Sequence, residues 1–446
     1  MSKKQKRKSQ RFIRLMLGAG ILALSTILWI FFAPQQSHFS SISSQPKSTL
    51  VAEVKNSSKS TLGIVSQLYA SNEFPTRDKS LTTIKSLGIN FVRTGFVWSQ
   101  IQPTPGTWKW ETYDALIASA QKNEIHLLGV VRATPKWASP ISQHLDEYAA
   151  FLDAVVARYG DAVSDWEIWN EPNKKNFWKQ DAPPPVYFDI LKRSYQIIKS
   201  RQSSSNVLLG GMANQPSAFE LWDKLLELGA ANYVDGIAFH PYRTKGEDLV
   251  PIYQRIRSLL AKYTSSTKPI WVTEYGWNTK PNPLPKNTKV ASPHEQAVKI
   301  IRTYLVHLAE GGSHFFVYEF RDDVCKKGCG KGDGQNFGVL KPDFTPKEAA
   351  QAISWMQQKL GTGFFIDNKQ YFKDGALVEL TTKGNVHYIV TWGNEAYKVL
   401  NNSFLSRGKY KPETFQNLTE KAVIDGLRSV QNNQLKEDFV FWQRVS

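Results

Sequence analysis

HLLGVVR at residues 126–132, LDEYAAFLDAVVAR at 145–158 and DWEIWN at 165–170 follow one another as an apolar run, an amphipathic stretch and a second apolar run. Short β-branched or apolar runs bounded by breakers read as strands buried on both faces, and the Leu145 to Arg158 pattern, apolar every third or fourth residue, reads as a helix. The alternation extends both ways. Strands are expected at Leu62–Ser66, Asn90–Gly95, His126–Arg132, Asp165–Asn170, Val207–Gly211, Asp235–Phe239, Pro269–Glu274 and Phe315–Phe320, with helical patterns between them such as Tyr187–Lys199 and His294–Ala309, and a last one at Lys347–Lys359. Alternating strands and helices demand parallel pairing through right-handed crossovers, and eight such units are the number that closes a (β/α)8 TIM barrel, an α/β fold.

After residue 360 the alternation stops. Residues 361–446 show strand-like runs, Ala376–Thr381 and Val386–Trp392, broken by Gly, Asn and Pro, with one helix-compatible stretch near 419–428. A small antiparallel β domain beside the barrel is expected.

The chain has 446 residues, a formal net charge of +17 and two Cys, so neither a disulfide-dense scaffold nor a multi-cysteine metal framework is available. Seven Lys or Arg fall within residues 1–14, and the first acidic residue is Glu53. Leu15–Ala33 then runs for nineteen residues without a charge, long enough at about 1.5 Å per residue to cross a hydrocarbon core of about 30 Å. The basic flank belongs on the cytoplasmic side, which places the rest of the chain in the periplasm or outside the cell as a single-pass membrane protein. A cleaved signal would have a shorter apolar core and a small-residue exit, whereas the exit here is Trp29-Ile30-Phe31-Phe32-Ala33. The expected organisation is a basic cytoplasmic head at 1–14, a transmembrane signal anchor at 15–33, a Ser-rich tether at 34–58, the barrel at 59–360 and the β-rich domain at 361–446.

In a barrel of this kind chemistry sits at the C-terminal ends of the strands. Strand 4 ends Trp169-Asn170-Glu171-Pro172-Asn173, strand 7 ends Thr273-Glu274-Tyr275-Gly276-Trp277, and strand 6 between them ends Phe239-His240-Pro241-Tyr242. A single strand-end Glu is more often a surface charge. Two of them facing each other across a barrel, with a His and a Tyr able to hold one ionised, are the minimum equipment for splitting a glycosidic bond: one acid protonates the departing oxygen and the other attacks the anomeric carbon or activates water.

These runs resemble the retaining glycoside hydrolases of clan A, most of all family 39 and its neighbours, family 5 included, and more closely the membrane-tethered bacterial exopolysaccharide endoglycosidases of the PslG type. The resemblance spans about residues 60–360. It implies that Glu171 is the acid/base, that Glu274 is the nucleophile, that Asn170 binds the 2-hydroxyl of the reacting sugar, and that His240 and Tyr242 support Glu274 with Arg93 beneath it. It implies endo-cleavage of β-linked residues in a cell-surface or extracellular polysaccharide; an exo-acting β-xylosidase-like enzyme is the alternative, and a glycan-binding protein on a decayed barrel is a third reading.

Trp98, Trp108, Trp137, Trp178 and Trp277 fall in or near strand-end loops, where indole faces stack on sugars or pack in the core. Where clan A enzymes often carry Trp at the end of strand 8, this chain has Val317-Tyr318-Glu319-Phe320-Arg321-Asp322-Asp323, so the floor of the reacting subsite falls to Tyr318 or Phe320, with Glu319, Asp322 and Asp323 solvated or salt-bridged. Cys325 and Cys329 form a disulfide or stay as thiols, and with no His or third Cys nearby they make no metal site. Gly210-Gly211 lack the spacing of a phosphate loop. No metal or cofactor is called for, a nucleic-acid partner is not expected because topology accounts for the basic head, and the chain is expected to act as a monomer.

Overall fold

The computed structural model describes residues 61–70, 73–175, 184–279, 290–323, 336–361, 363–403, 410–414, 416 and 439–444. The basic head, the apolar run at 15–33, the tether, Trp178, both cysteines and the 419–428 stretch lie outside them. Among the described residues no helix is long and apolar enough to cross a membrane.

Eight parallel strands close a barrel in chain order: β1 Thr61–Val65, β2 Phe91–Val97, β3 His126–Arg132, β4 Asp165–Asn170, β5 Asn206–Ala213, β6 Gly236–His240, β7 Ile270–Tyr275 and β8 His314–Val317. Thr61 pairs with His314 and Ile64 with Val317, which removes the edges. The principal helices are α1 Arg77–Ser86, α2 Glu111–Lys122, α3 Leu145–Tyr159, α4 Pro184–Arg201, α5 Pro216–Glu227, α6 Leu249–Ala261, α7 Pro293–Ala309 and α8 Glu348–Leu360. Strand 8 stops at Val317, so Tyr318–Phe320 run on as irregular chain rather than strand.

Alternation within each strand sorts the side chains into two layers. Val65, Phe91, Leu128, Leu208, Ala238, Trp271 and Phe316 fill the barrel, while Val92, Phe96, Val131, Trp166 and Ile168 face the helices. On α3 the buried residues are Tyr148, Phe151, Leu152, Val155, Val156 and Tyr159, one stripe of the helix. The start of α7 is fixed by a capping box, Ser292 and Glu295 exchanging hydrogen bonds, with Pro293 in the first turn.

A five-stranded antiparallel sheet follows, in the order β12-β13-β11-β10-β9, built from β9 Phe364–Phe372, β10 Gly375–Thr382, β11 His387–Trp392, β12 Tyr410–Glu413 and β13 Val440–Arg444. Its residues alternate between two cores. Val378, Leu380, Val390 and Phe441 join the apolar layer of the barrel helices, and Leu377, Ile389, Val440 and Trp442 pack with Ala396 and Leu400 of α9, Asn394–Ser403. Sequence reading had no helix at 394–403. Its Gly393-Asn394 start and Asn401-Asn402 end read as breakers, and its apolar signal is confined to the few residues Ala396, Tyr397, Val399 and Leu400. Lys369 and Tyr371 reach from β9 to Glu310 at 2.7 and 2.8 Å.

Two histidines pack among aromatic side chains, one buried and one half-buried. His307 is wholly enclosed, beside the Tyr253 hydroxyl, and His314 stacks on Trp271 with centroids 3.7 Å apart. Burial pushes their pKa values down, to about 3 for His307 and about 4 for His314. Each binds its proton more readily in the unfolded chain, so their stabilising contribution is complete above about pH 6.5 and is lost as the pH falls toward 4. The urea midpoint of the wild type is expected to drop between pH 6.5 and 4.5, and His314→Phe, which keeps the stack, to show a shallower drop; parallel profiles would contradict this.

Candidate active site

Arg93, the second inward side chain of β2 after Phe91, enters the barrel where no water can solvate it, and a buried guanidinium must be paired. Its Nε and Nη2 donate to the two carboxylate oxygens of Glu167 at 2.7 and 2.9 Å, Nη2 also donates to Asn170 Oδ1 at 2.8 Å, and Nη1 donates to Glu274 Oε1 at 2.5 Å. Three strands are thus tied at the barrel mouth through one cation. Removing one partner of such a pair typically costs about 3–5 kcal/mol.

Glu274 is held from two sides. Tyr242 donates its hydroxyl to Oε2 at 2.8 Å, opposite Arg93. Burial works to raise the Glu274 pKa, but the charges of His240 and Arg93 and the Tyr242 hydrogen bond outweigh it, so the carboxyl sits below its ordinary value. Burial keeps Tyr242 far above the usual phenol range, so it remains a donor.

Glu171 follows β4 on a strained path. Trp169 and Glu171 have φ of 73° and 45°, in the left-handed region that non-glycine residues rarely occupy, and such residues persist where surrounding contacts hold them. The Glu171 amide donates to the Gly211 carbonyl at 2.9 Å. His240 Nδ1 lies 3.2 Å from Glu171 Oε1, and Lys174 Nζ lies 2.7 Å from Oε2. Burial raises the Glu171 pKa, but the His240 contact and the Lys174 ammonium overcome it and hold it at about 2. His240 Nδ1 is also 3.7 Å from Glu274 Oε2, so the 3.2 and 3.7 Å arms bound the separation of these two oxygens at 6.9 Å. An ionised carboxylate has no proton to give, so Nδ1 carries a hydrogen toward Glu171, and Nε2 lies 3.1 Å from Thr273 Oγ1.

Glu171, Glu274, Asn170 and Arg93 line a cavity of about 130 Å³ together with Gln67, Arg132 and Tyr318. Of the two candidate floor residues Tyr318 is the one in the cavity wall; Phe320 is buried against Phe344. Facing carboxyls in one cavity, one braced by a cation and a phenol and the other by a histidine and a lysine, are suited to proton transfer on one side and nucleophilic attack on the other. Among the described residues no cluster of His, Cys, Asp and Glu has the makings of a metal site.

Several expected residues have other settings. His240 contacts Glu171 more closely than Glu274. Trp98, 1% exposed, stacks on Phe151 and donates to Gln102 Oε1, and Trp277, 6% exposed, donates to the Tyr275 hydroxyl, so both are core side chains and present no sugar platform. Trp137 is half-buried edge-on to Trp98, and Trp108 is half-buried in a stack with Trp110. Glu319 is buried at 6% with Oε1 unpaired, and burial beside Asp323 and Glu274 drives its pKa well above the carboxylate range. It is neither solvated nor salt-bridged, whereas Asp322 pairs with Lys347 at 2.7 Å and Asp323 is exposed.

Sequence reading assigned no role to Glu167, Gly211 or Lys174. Gly211 donates its amide to Glu167 Oε1 at 2.8 Å, and a Cβ there would fall 2.1 Å from His240 Nε2, so only glycine fits. The signal for Glu167 was available in principle: an inward arginine on β2 requires an inward acid elsewhere around the barrel, and β4 supplies it two strands away.

Residues 51–309 match the sequence profile of cellulase, glycosyl hydrolase family 5. A β-xylosidase from Geobacillus stearothermophilus is 25% identical over 280 residues, covering 55% of this chain and 51% of the relative, and a β-xylosidase from Caldicellulosiruptor saccharolyticus is 28% identical over 270 residues with the same coverage. The chain therefore spans about half the length of these curated relatives. The fold is similar to a family 39 glycoside hydrolase from Bacteroides cellulosilyticus WH2, with TM-score 0.62 and 22% identity over 75% of this chain and 71% of that one. It is also similar to a family 39 β-xylosidase from Caulobacter crescentus, with TM-score 0.58 and 18% identity over 88% and 97%.

Lys174 is the removable part of the Glu171 environment. In Lys174→Met the Glu171 carboxyl, followed by carbon-13 NMR, is expected to titrate well above about 2, toward the ordinary value of ~4.3. An unchanged titration would show that His240 alone sets it.

Proposed function

Because the chain belongs to the cellulase family, glycosyl hydrolase family 5, we propose that it is a retaining glycosidase that cleaves β-linked residues of a cell-surface or extracellular polysaccharide by double displacement. The observation that carries this reading is the pair of carboxyls in one cavity, Glu274 braced by Arg93 and Tyr242, Glu171 across from it, and His240 in reach of both.

Glu274 attacks the anomeric carbon as the bond to the leaving oxygen breaks, and Glu171 gives that oxygen a proton. Water then enters, Glu171 takes its proton back, and the hydroxyl displaces Glu274, so configuration is retained over two inversions. The bound of 6.9 Å on the nearest His240-linked oxygens is compatible with the roughly 5–5.5 Å carboxyl separation of double displacement. Glu171 must hold a proton for the first step, so a leaving sugar that displaces the Lys174 ammonium from Oε2 also prepares the acid. Asn170, its Oδ1 fixed by Arg93, turns its amide hydrogens to the sugar.

Endo action is supported by the expected tether, since an enzyme fixed at the membrane suits a polymer that it meets at the cell surface. A second reading, exo action, has its own support in a small cavity, in the burial of Trp98 and Trp277, and in relatives named β-xylosidases. Viscosity separates the two: endo-cleavage lowers it early with oligosaccharides of several lengths, and exo-cleavage releases monosaccharide while viscosity holds. The anchoring reading predicts that the full chain sediments with membranes and resists carbonate extraction.

Glu274→Gln is expected to reduce turnover to background on every glycoside, because an amide cannot form the glycosyl ester. Glu171→Ala is expected to lose about 10²–10⁴-fold on unactivated substrates, to keep activity on glycosides of acidic phenols, and to be accelerated by azide. Equal loss on both substrate classes, or an inverted first product by early-time NMR, would contradict the mechanism.

A further inference from the structure

Two cations line the cavity wall, Arg93 and Arg132, and Arg93 already has carboxylates, Glu167 and Glu274. Lys174, outside the wall, is paired with the carboxylate of Glu171. Arg132 has none among the described residues. It is the last inward residue of β3 after Leu128 and Val130, it lines the same cavity as Glu171 and Glu274, and its one hydrogen bond runs from Nη2 to the Tyr69 hydroxyl.

The side chain is held in place for something. Tyr69 lies under the guanidinium, 5.8 Å from ring centroid to Cζ, and Tyr69 itself stacks on Tyr113 at 6.3 Å and 6°. Gly95 opens the space, because a Cβ there would come within 2.8 Å of the Tyr69 ring and 3.2 Å of Arg132 Nε. Ala133, the next residue, turns the chain at φ 65°. One phenol oxygen uses one of five N–H donors, and the others are left to whatever enters the cavity. Gln67, on the same wall, has a buried Oε1 with no partner, which is a second vacancy for a donor from a ligand such as a sugar hydroxyl.

We propose that Arg132 reads a carboxylate on the glycan, so that the sugar held in this cavity is a uronic acid and the substrate is an acidic polysaccharide. The inference rests on the glycosidase reading for the place of the sugar. A neutral hydroxyl accepts a single N–H bond from a guanidinium, whereas a carboxylate accepts two parallel ones and also neutralises its charge. Substrate of that charge is also drawn in by the chain, whose sequence beyond residue 14 still carries +10 (17 less the seven basic residues at 1–14).

The test uses the full chain with paired 4-nitrophenyl β-glycosides, glucuronide against glucoside and galacturonide against galactoside. The expected result is that the better acidic substrate exceeds its neutral partner in kcat/KM by about tenfold or more, or about 1.4 kcal/mol. Arg132→Gln is expected to bring that ratio within about twofold, and Arg132→Lys to recover part of it. A neutral partner turned over as well as the acidic one, or a preference that survives Arg132→Gln, overturns the proposal. Should no pair be hydrolysed, as for an enzyme that needs several sugar residues bound, the glycosidase reading is judged by the viscosity assay on polysaccharide, and binding of the corresponding methyl glycosides by saturation-transfer NMR still decides this proposal: acidic preference in the wild type and not in Arg132→Gln supports the reader, and no preference overturns it.

Discussion

A guanidinium without water is the constraint on which this barrel mouth is arranged. Arg93 is 3% exposed, and at that depth a charge is tolerated only where hydrogen-bonded counter-ions surround it. Glu167 supplies a two-pronged contact from β4, Glu274 a contact from β7, and Asn170 the remaining acceptor. Because the acceptors come from β4 and β7, three strands apart, and the cation from β2, satisfying one charge also fixes the relative positions of these strands. Gly211 extends the network by one step, its amide on Glu167 and its carbonyl on the Glu171 backbone, with the His240 ring against its Cα.

The two carboxyls that face the cavity acquire different environments from this scaffold. Glu274 is enclosed by fixed donors that favour its ionised form and aim it. Glu171 meets a fixed histidine and a lysine on a flexible stem, so part of what holds it ionised can be moved aside. Unequal bracing of two similar groups is what double displacement asks of them, since one must stay a nucleophile while the other gains and gives a proton. The left-handed backbone at Trp169 and Glu171 is tolerated where it presents the second group.

Much of this was legible in the chain. Each of the eight strands fell within a few residues of its expected place because an apolar run and a breaker marked it, and the strand-end rule then brought Glu171, Glu274, His240 and Tyr242 to one mouth, with Arg93 expected there only from the family resemblance. What escaped was long-range or ambiguous in kind. Glu167 is 74 residues from Arg93, and nothing local in Trp166-Glu167-Ile168 announces an ion pair. Indoles near strand ends look alike whether they stack on Phe151, as Trp98 does, or face solvent. Helix α9 is short and flanked by Gly393 and two asparagines, which local reasoning takes for a turn. Arg132 was passed over because a terminal arginine on a strand is ordinarily solvated, and only the cavity shows what it faces.

The central claim is that Glu274 bonds to the sugar. Incubation with 2-deoxy-2-fluoro β-glycosides bearing a dinitrophenolate leaving group, in the xylo, gluco and glucurono series, slows breakdown of a glycosyl intermediate more than its formation and lets it accumulate. Mass spectrometry of the digested protein is predicted to find the sugar on Glu274, in the peptide that contains Thr273-Glu274-Tyr275. Attachment to any other residue, or turnover of these compounds with no adduct and with inverted product, would contradict the account.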